Sequence, residues 1–449
     1  MARVEDIRLL RENMQRQEQA APAEKSPTAP PRRDRRFDVN DAHDDSDDDI
    51  EEAGELRPED EALAMVPPMG GVPVRWEVQD AQAKLEQSKK EAAREVAGGS
   101  IGMSALKVLW STEVAEEEED GDQYGADTFC VRHSPDDKLI ATGCNDGVVR
   151  IYNVENGRLA YSLDASSQEL PSTCLRFRPG SASSTTKNVM LVANCDGTVT
   201  HWHITSRRCL HTITEEDNQV YALDYAADAE HFATAGRDFA VRYYDESTKT
   251  LISKLETSRW DKESSGHSNR IFALKFGPNL GANADDARGP LLLSAGWDNT
   301  VQVWDVRAGR SVMSMWGPHV CGDGLDVSGH TVATASWQPH DQLQLWDLRS
   351  GGLLESAPMG LADKDRDVPQ LYGCQFGKAN ARLLAAGGTV GQGGEVRLFS
   401  RSSEKCSPIG VLTLPRGVYG VDFSHDGRSF AVVGGDARVH VVEVPAAAR

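Results

Sequence analysis

The chain has 449 residues, 39% hydrophobic and only 6% aromatic, with a formal net charge of −21. The length exceeds one ordinary compact core, and the apolar content is low for a chain folded throughout, so part of it is expected to be disordered. The acidity is uneven: residues 1–126 hold 31 acidic against 16 basic side chains and the remainder 38 against 32, which argues against a broadly basic nucleic-acid-binding surface.

From the start, Val4, Ile7, Leu10 and Met14 fall at helical spacing and predict one short helix over 4–18, too short to be stable alone in water. Residues 19–72 read as disorder, being Pro-rich, then DDSDDDIEE, then Pro and Gly again. Ser46 in that run is followed by acids; this suits phosphorylation by an acidophilic kinase and equally suits an unmodified solvated stretch. The run RRDRR at 32–36 has the make-up of a nuclear-import signal, interrupted by Asp34. Residues 76–97 are rich in Ala, Glu, Lys and Gln, good helix formers. Their apolar stripe of Val78, Ala81, Leu85, Ala92 and Val96 is weak, so the segment reads as a solvated or transient helix, with a coiled-coil seam as the alternative.

From about residue 126 a self-similar unit of roughly 40–45 residues recurs. Its clearest copy, residues 291–307, is LLLSAGWDNTVQVWDVR. A small-residue strand leads into a turn holding Asp298, and a β-branched strand then ends in Trp304-Asp305. The step from turn Asp to terminal aromatic repeats as Asp146 to Tyr152, Asp196 to Trp202 and Asp238 to Tyr244. The third-strand aromatic or its substitute falls at Tyr152, Trp202, Tyr244, Trp304, Trp346, Phe399 and Val442, which counts seven units. The last unit supplies only three strands, 418–423, 429–433 and 438–444, while an orphan strand-like run, ALKVLWS, stands at 105–111. An open sheet edge invites aggregation, so this run is expected to close the ring as the outer strand of the last unit.

The pattern resembles the WD-repeat family over roughly residues 104–445, strongly in units four and five and degenerately in six and seven. The resemblance implies an all-β fold: a seven-bladed WD-repeat β-propeller closed by an N-terminal strand. It would be preceded by an acidic, largely disordered region over 1–103. It also implies a structural tetrad in each good blade, matched in full in blade four by His267, Ser294, Asp298 and Trp304. Buried polar groups must satisfy one another, so this role is structural and Asp298 is not read as catalytic.

Catalytic signatures are absent: no GxxxxGK[ST], HExxH, GxSxG or EF-hand loop occurs. GGTVGQGG at 387–394 lacks a following Lys-Ser/Thr and reads as a hairpin loop. His201 and His203 flank Trp202 but would need further ligands from neighbouring strands to hold a metal. No cofactor and no metal are expected. The eight cysteines form no CxxC pair, which suits a reducing compartment. The start lacks a signal-peptide core, and no segment approaches the roughly 20 apolar residues of a membrane helix. A soluble intracellular protein is expected, with the cytoplasm first and the nucleus or cilium as alternatives, and with no membrane partner.

Two surface features remain. Trp304-Asp305-Val306-Arg307 and Trp346-Asp347-Leu348-Arg349 are consecutive WDxR motifs. They resemble those of substrate receptors of cullin-type ubiquitin ligases, in which the Arg, here Arg307 and Arg349, meets the adaptor; the plainer reading is that each merely caps a strand end. Trp260, Trp297, Trp316 and Trp337 lie off the strand-end position. Propeller topology puts them in loops of one face over blades three to five, where exposed aromatics would form a partner hot spot; the alternative is packing between blades. The acidic loop at 116–122 would open on the same face. The function expected is a non-enzymatic scaffold binding other proteins, with nucleic acid not expected as a partner. A ubiquitin-ligase substrate receptor and a component of a cytoskeletal or ciliary assembly are the alternatives. Composition leaves the oligomeric state open.

Overall fold

Alternating apolar residues separated by Asp-, Asn- and Gly-bearing turns give each repeat four antiparallel strands. In blade four these are Ile271–Phe276, Leu291–Gly296, Thr300–Asp305 and Arg310–Trp316, hydrogen-bonded in that order. The computed structural model describes residues 103–114, 126–180, 188–257, 266–277, 291–357, 359, 369–402 and 405–449. The expected helices at 4–18 and 76–97, Ser46, the 116–122 loop and Trp260 lie outside these residues.

Seven sheets form a ring. Their first strands are Thr128–His133, Ser172–Phe177, Val220–Tyr225, Ile271–Phe276, Leu325–Ser328, Gln370–Phe376 and Val418–Phe423. Each touches the next, and the last touches the first, so these strands line the axis. Each blade interface holds one apolar cluster; Trp304, for example, joins Leu274 and Leu292 of its own blade to Ala222, Val241 and Tyr243 of blade three. All seven third-strand positions from Tyr152 to Val442 are buried. The small residues before each turn serve close approach. A Cβ on Gly236 or Gly296 would fall 1.9 or 2.0 Å from the Gln219 or Arg270 carbonyl oxygen just before the same blade's first strand, so only glycine fits there.

The ring closes as expected, but the closing strand runs Val108–Glu113 rather than 105–111. It pairs antiparallel with Arg438–Glu443, from Val108 opposite Val442 to Glu113 opposite Arg438. The preceding residues, Ser104–Ala105, instead add a fifth, parallel strand to blade six beside Gly410 and Val411. Leu106 decides the split: its side chain is buried over Gly410 and its amide donates to the Val411 carbonyl at 2.9 Å. Trp110 then ties blade seven to blade one by donating from Nε1 to the Val154 carbonyl at 2.7 Å. Deleting residues 1–112 is therefore expected to melt about 5–10 °C below a chain lacking only residues 1–102, because it exposes the edge of blade seven. Equal melting temperatures by circular dichroism would show that the strand is not needed.

Candidate interaction surface

Blade four carries a continuous polar relay. His267 Nδ1 meets Asp298 Oδ2 at 2.7 Å, and its Nε2 meets Ser294 Oγ at 2.6 Å. Trp304 Nε1 donates to the same Ser294 oxygen at 2.8 Å. Burial opposes ionisation of Asp298, yet the hydrogen bond and charge of His267 hold its carboxyl below the ordinary value. Asn299, at φ 58°, turns the chain back into the third strand. Other blades use different partners: Thr334 accepts from Trp346 Nε1 at 3.0 Å, and in blade three Glu215 accepts from Tyr244 Oη at 3.0 Å.

A second buried polar system lines the axis. Six blades set one charged residue in the first strand, Arg132, Arg176, Asp224, Lys275, Asp326 and Asp422, and blade six sets Gln375 there. Arg176 pairs with Asp224 at 3.0 Å and Lys275 with Asp326 at 3.3 Å. Asp323 bridges Arg132 and Arg176, and Lys378 pairs with Asp422 at 2.8 Å. The acceptors also staple blades by taking amides from the next first strand: Phe276 to Asp224 at 2.9 Å, Phe376 to Asp326 at 2.7 Å, Phe423 to Gln375 at 2.6 Å and His133 to Asp422 at 2.7 Å. Burial disfavours the Asp422 carboxylate, but Lys378, His133 and Arg132 together hold it well below the usual range. The acids Asp224, Asp323, Asp326 and Asp422 match the bases Arg132, Arg176, Lys275 and Lys378 in number, so the girdle is self-neutralised.

The loops between second and third strands, and those leading into each first strand, open on one face, here called the upper face. Trp316, the last residue of the fourth strand of blade four, is 71% exposed, and Trp337, after the second strand of blade five, is 38% exposed. Trp297 is half-buried and already engaged. Its Nε1 donates to Cys321 Sγ at 3.0 Å, its ring lies 5.9 Å from His319 and 5.4 Å from Phe272, and the Arg270 guanidinium stands 5.6 Å over it.

Nearer the axis, six first strands skip one residue in their pairing with the second strand. The skipped residues are Phe129, Thr173, Tyr221, Phe272, Tyr372 and Tyr419. A bulge leaves its residue unpaired and re-aims the side chain, and all six are half-buried. The rings form two arcs. Tyr221 stacks on Phe272 at 4.8 Å and 10°, continuing to Trp297. Tyr419 lies 6.0 Å from Phe129 at 25° and 5.2 Å from Tyr372 at 84°.

Comparison with known proteins agrees with this architecture. Residues 105–179 match the family described as anaphase-promoting complex subunit 4 WD40 domain. Residues 207–245 and 260–305 match the WD domain, G-beta repeat. The chain is a WD-repeat β-propeller protein. It is 25% identical over 257 residues to periodic tryptophan protein 2 of Arabidopsis thaliana, covering 55% of this chain and 24% of that one. It is 25% identical over 181 residues to the U3 small nucleolar RNA-associated protein 21 homolog of Schizosaccharomyces pombe, covering 40% and 17%. It is 24% identical over 321 residues to pre-mRNA-processing factor 19 of Oryza sativa subsp. japonica, covering 69% and 54%. The chain thus spans between about a sixth and about half of the length of these relatives.

The two WDxR arginines of this WD-repeat propeller lie between third and fourth strands, on the face opposite the tryptophans. Asp305 accepts the amides of Arg307 and Ala308 at 3.0 Å each, which caps the turn. Arg349 pairs with Asp347 at 3.0 Å while 66% exposed, and Arg307 has no side-chain partner among the described residues. His201 meets Glu246 at 3.2 Å and His203 meets Ser206 at 2.6 Å. Among the described residues no group of three metal-ligating side chains forms. The segment 387–394 falls in the blade-six hairpin of Leu383–Val390 and Gly393–Arg401. Sequence reasoning missed the axial girdle and the bulge aromatics, although an aromatic near the start and a charge near the end recur in the first strands TFCVRH, VYALDY, IFALKF and VYGVDF.

Proposed function

We propose that this WD-repeat protein is a non-enzymatic docking platform that holds partner proteins on its upper face over blades four and five. The exposure of Trp316 carries the reading. A large indole left 71% open to water, with a second tryptophan 38% exposed in blade five, is costly alone and rewarding once a partner seals it. Among the described residues the buried charges along the axis pair with one another and offer no competing reaction centre. The printed names of the relatives concern small nucleolar RNA and pre-mRNA processing. They favour membership of a nuclear RNA-processing assembly over the cytoplasmic setting expected from composition.

Affinity purification of the native protein is expected to yield a defined set of proteins that Trp316→Ala and Trp337→Ala each deplete strongly, since truncating such a residue typically costs at least about 2 kcal/mol of binding. If both variants stay folded and keep every partner, the upper-face reading fails. In that case Arg307→Ala, on the other face, becomes the decisive variant, and selective loss of a ligase adaptor would favour the substrate-receptor reading.

A further inference from the structure

We infer that the outer edge of blade two, the strand Arg208–Thr214, takes up an extended segment of a partner protein, acidic and then aliphatic, as a fifth, parallel strand. The site lies on the rim of the ring and is separate from the upper face over blades four and five.

All seven outer strands share one irregularity. Each skips one residue in its pairing with the third strand, and every skipped residue is aliphatic. In blades two to five these are Leu210, Ile252, Val312 and Leu354, each between 51% and 59% exposed. Blade six differs. Its bulge residue, Ile409, is half-buried and packs on the apolar cluster shared by blades six and seven. There Ser104–Ala105 pairs in parallel with Gly410 and Val411, and Ser104 Oγ donates to the Ile409 carbonyl at 3.3 Å. One blade of the molecule therefore shows what such an edge accepts: an extended chain running in the direction of the outer strand.

Blade two is the edge best prepared for the same addition. Its strand, RCLHTIT, is seven residues long with six of them exposed, and nothing among the described residues pairs with its outer side. An open edge is a template for pairing, and native edges are guarded by proline, lysine or shortness. The outer strand of blade six carries Pro408, that of blade three carries Lys254 in only five residues, and that of blade two has none of these guards. A shallow depression of about 530 Å³ opens at its lower end, lined by His203, Ser206, Arg208, Cys209 and Leu210. The exposed bulge leucine thus borders a recess that an aliphatic side chain can fill.

Charge selects the rest of the segment. Arg207, held at φ 52°, and Arg208 are both exposed, and neither guanidinium has a partner among the described residues. The strand itself carries no acid. In a parallel addition the N-terminal end of the incoming segment meets these arginines. Its main-chain groups supply affinity and its side chains supply selectivity. An Asp or Glu ahead of an aliphatic residue sets the carboxylate on the arginines and the apolar side chain on Leu210.

The full-length chain is to be panned against a phage-displayed library of random short peptides, after depletion on the Leu210→Ser variant, which removes ligands of every other surface. Leu210 is 54% exposed, so this variant is expected to fold as the wild type does. The surviving peptides are expected to share an acid followed by an aliphatic residue. Once synthesised, such a peptide should lose about tenfold in affinity when one alternate set of its amides is N-methylated, and little when the other set is, because only every second amide of an added strand faces the edge. Arg208→Glu should weaken it about fivefold or more. No peptide surviving the depletion, survivors without an acid, an affinity indifferent to N-methylation of either set, or binding unchanged by Arg208→Glu would each overturn the proposal. So would a wild-type chain that is dimeric by light scattering and monomeric on Leu210→Ser, since the edge would then belong to a second copy.

Discussion

Asp422→Ala is expected to be among the most destabilising single substitutions in the protein, costing about 3–5 kcal/mol, because it removes one partner from a buried charge cluster. The carboxylate is fully buried and accepts from the His133 amide at 2.7 Å, Gln375 Nε2 at 2.8 Å and Lys378 Nζ at 2.8 Å. Arg132 lies 3.7 Å away and is itself almost fully buried. Removal leaves Lys378 without its ion pair and frees the staple from blade seven to blade one, where the ring closes. The pH dependence has a definite sign. The folded-state pKa of Asp422 is depressed, so the unfolded chain binds the proton more tightly. The contribution is then fully present above the unfolded value of about 4 and is lost as pH falls through the lower folded value. Urea denaturation of the wild type should show stability falling as pH drops below about 4, and Asp422→Asn should show a shallower fall. A wild-type midpoint that rises on acidification over that range would contradict the assignment.

Trp304→Ala is expected to cost about 3–5 kcal/mol, the usual loss for a large aromatic removed from a packed core. Its indole is fully buried between blades three and four, and its Nε1 completes the relay through Ser294 to His267 and Asp298. The change opens a cavity at a blade interface and leaves the Ser294 hydroxyl one partner short. Trp316→Ala, by contrast, truncates a side chain that is 71% exposed and should cost under about 1 kcal/mol. Denaturation midpoints ranking Trp316→Ala as the more damaging would refute both placements.

These two tryptophans mark the boundary of what local pattern can say. Trp304 was legible as core because it ends a β-branched strand six residues after a turn Asp, a step that recurs in Tyr152, Trp202 and Tyr244. Trp316 and Trp297 have no such rule. Both stand in or beside upper-face loops, yet one is open to water and the other is enclosed by Phe272, His319 and Arg270. The first strand of its own blade and the segment leading into blade five enclose Trp297, whereas Trp316 at the end of the fourth strand is left open. The closing strand shows the same limit on a smaller scale: the sequence called for a strand near 105–111, and the buried Leu106 moved it to Val108–Glu113.

By itself, then, the sequence determined the repeat, the blade count, the turn acids and the need for an N-terminal strand to close the ring. All of these follow from the period of two in strands and from turn chemistry, which act over a few residues. The tertiary structure alone decided which charges pair along the axis, which bulge aromatics meet, and which tryptophans stay exposed. Those contacts join neighbouring blades, and at the closure they span 289 residues, from His133 to Asp422. Side chains that far apart along the chain are brought together by the curvature of the closed ring, which no short stretch of sequence encodes.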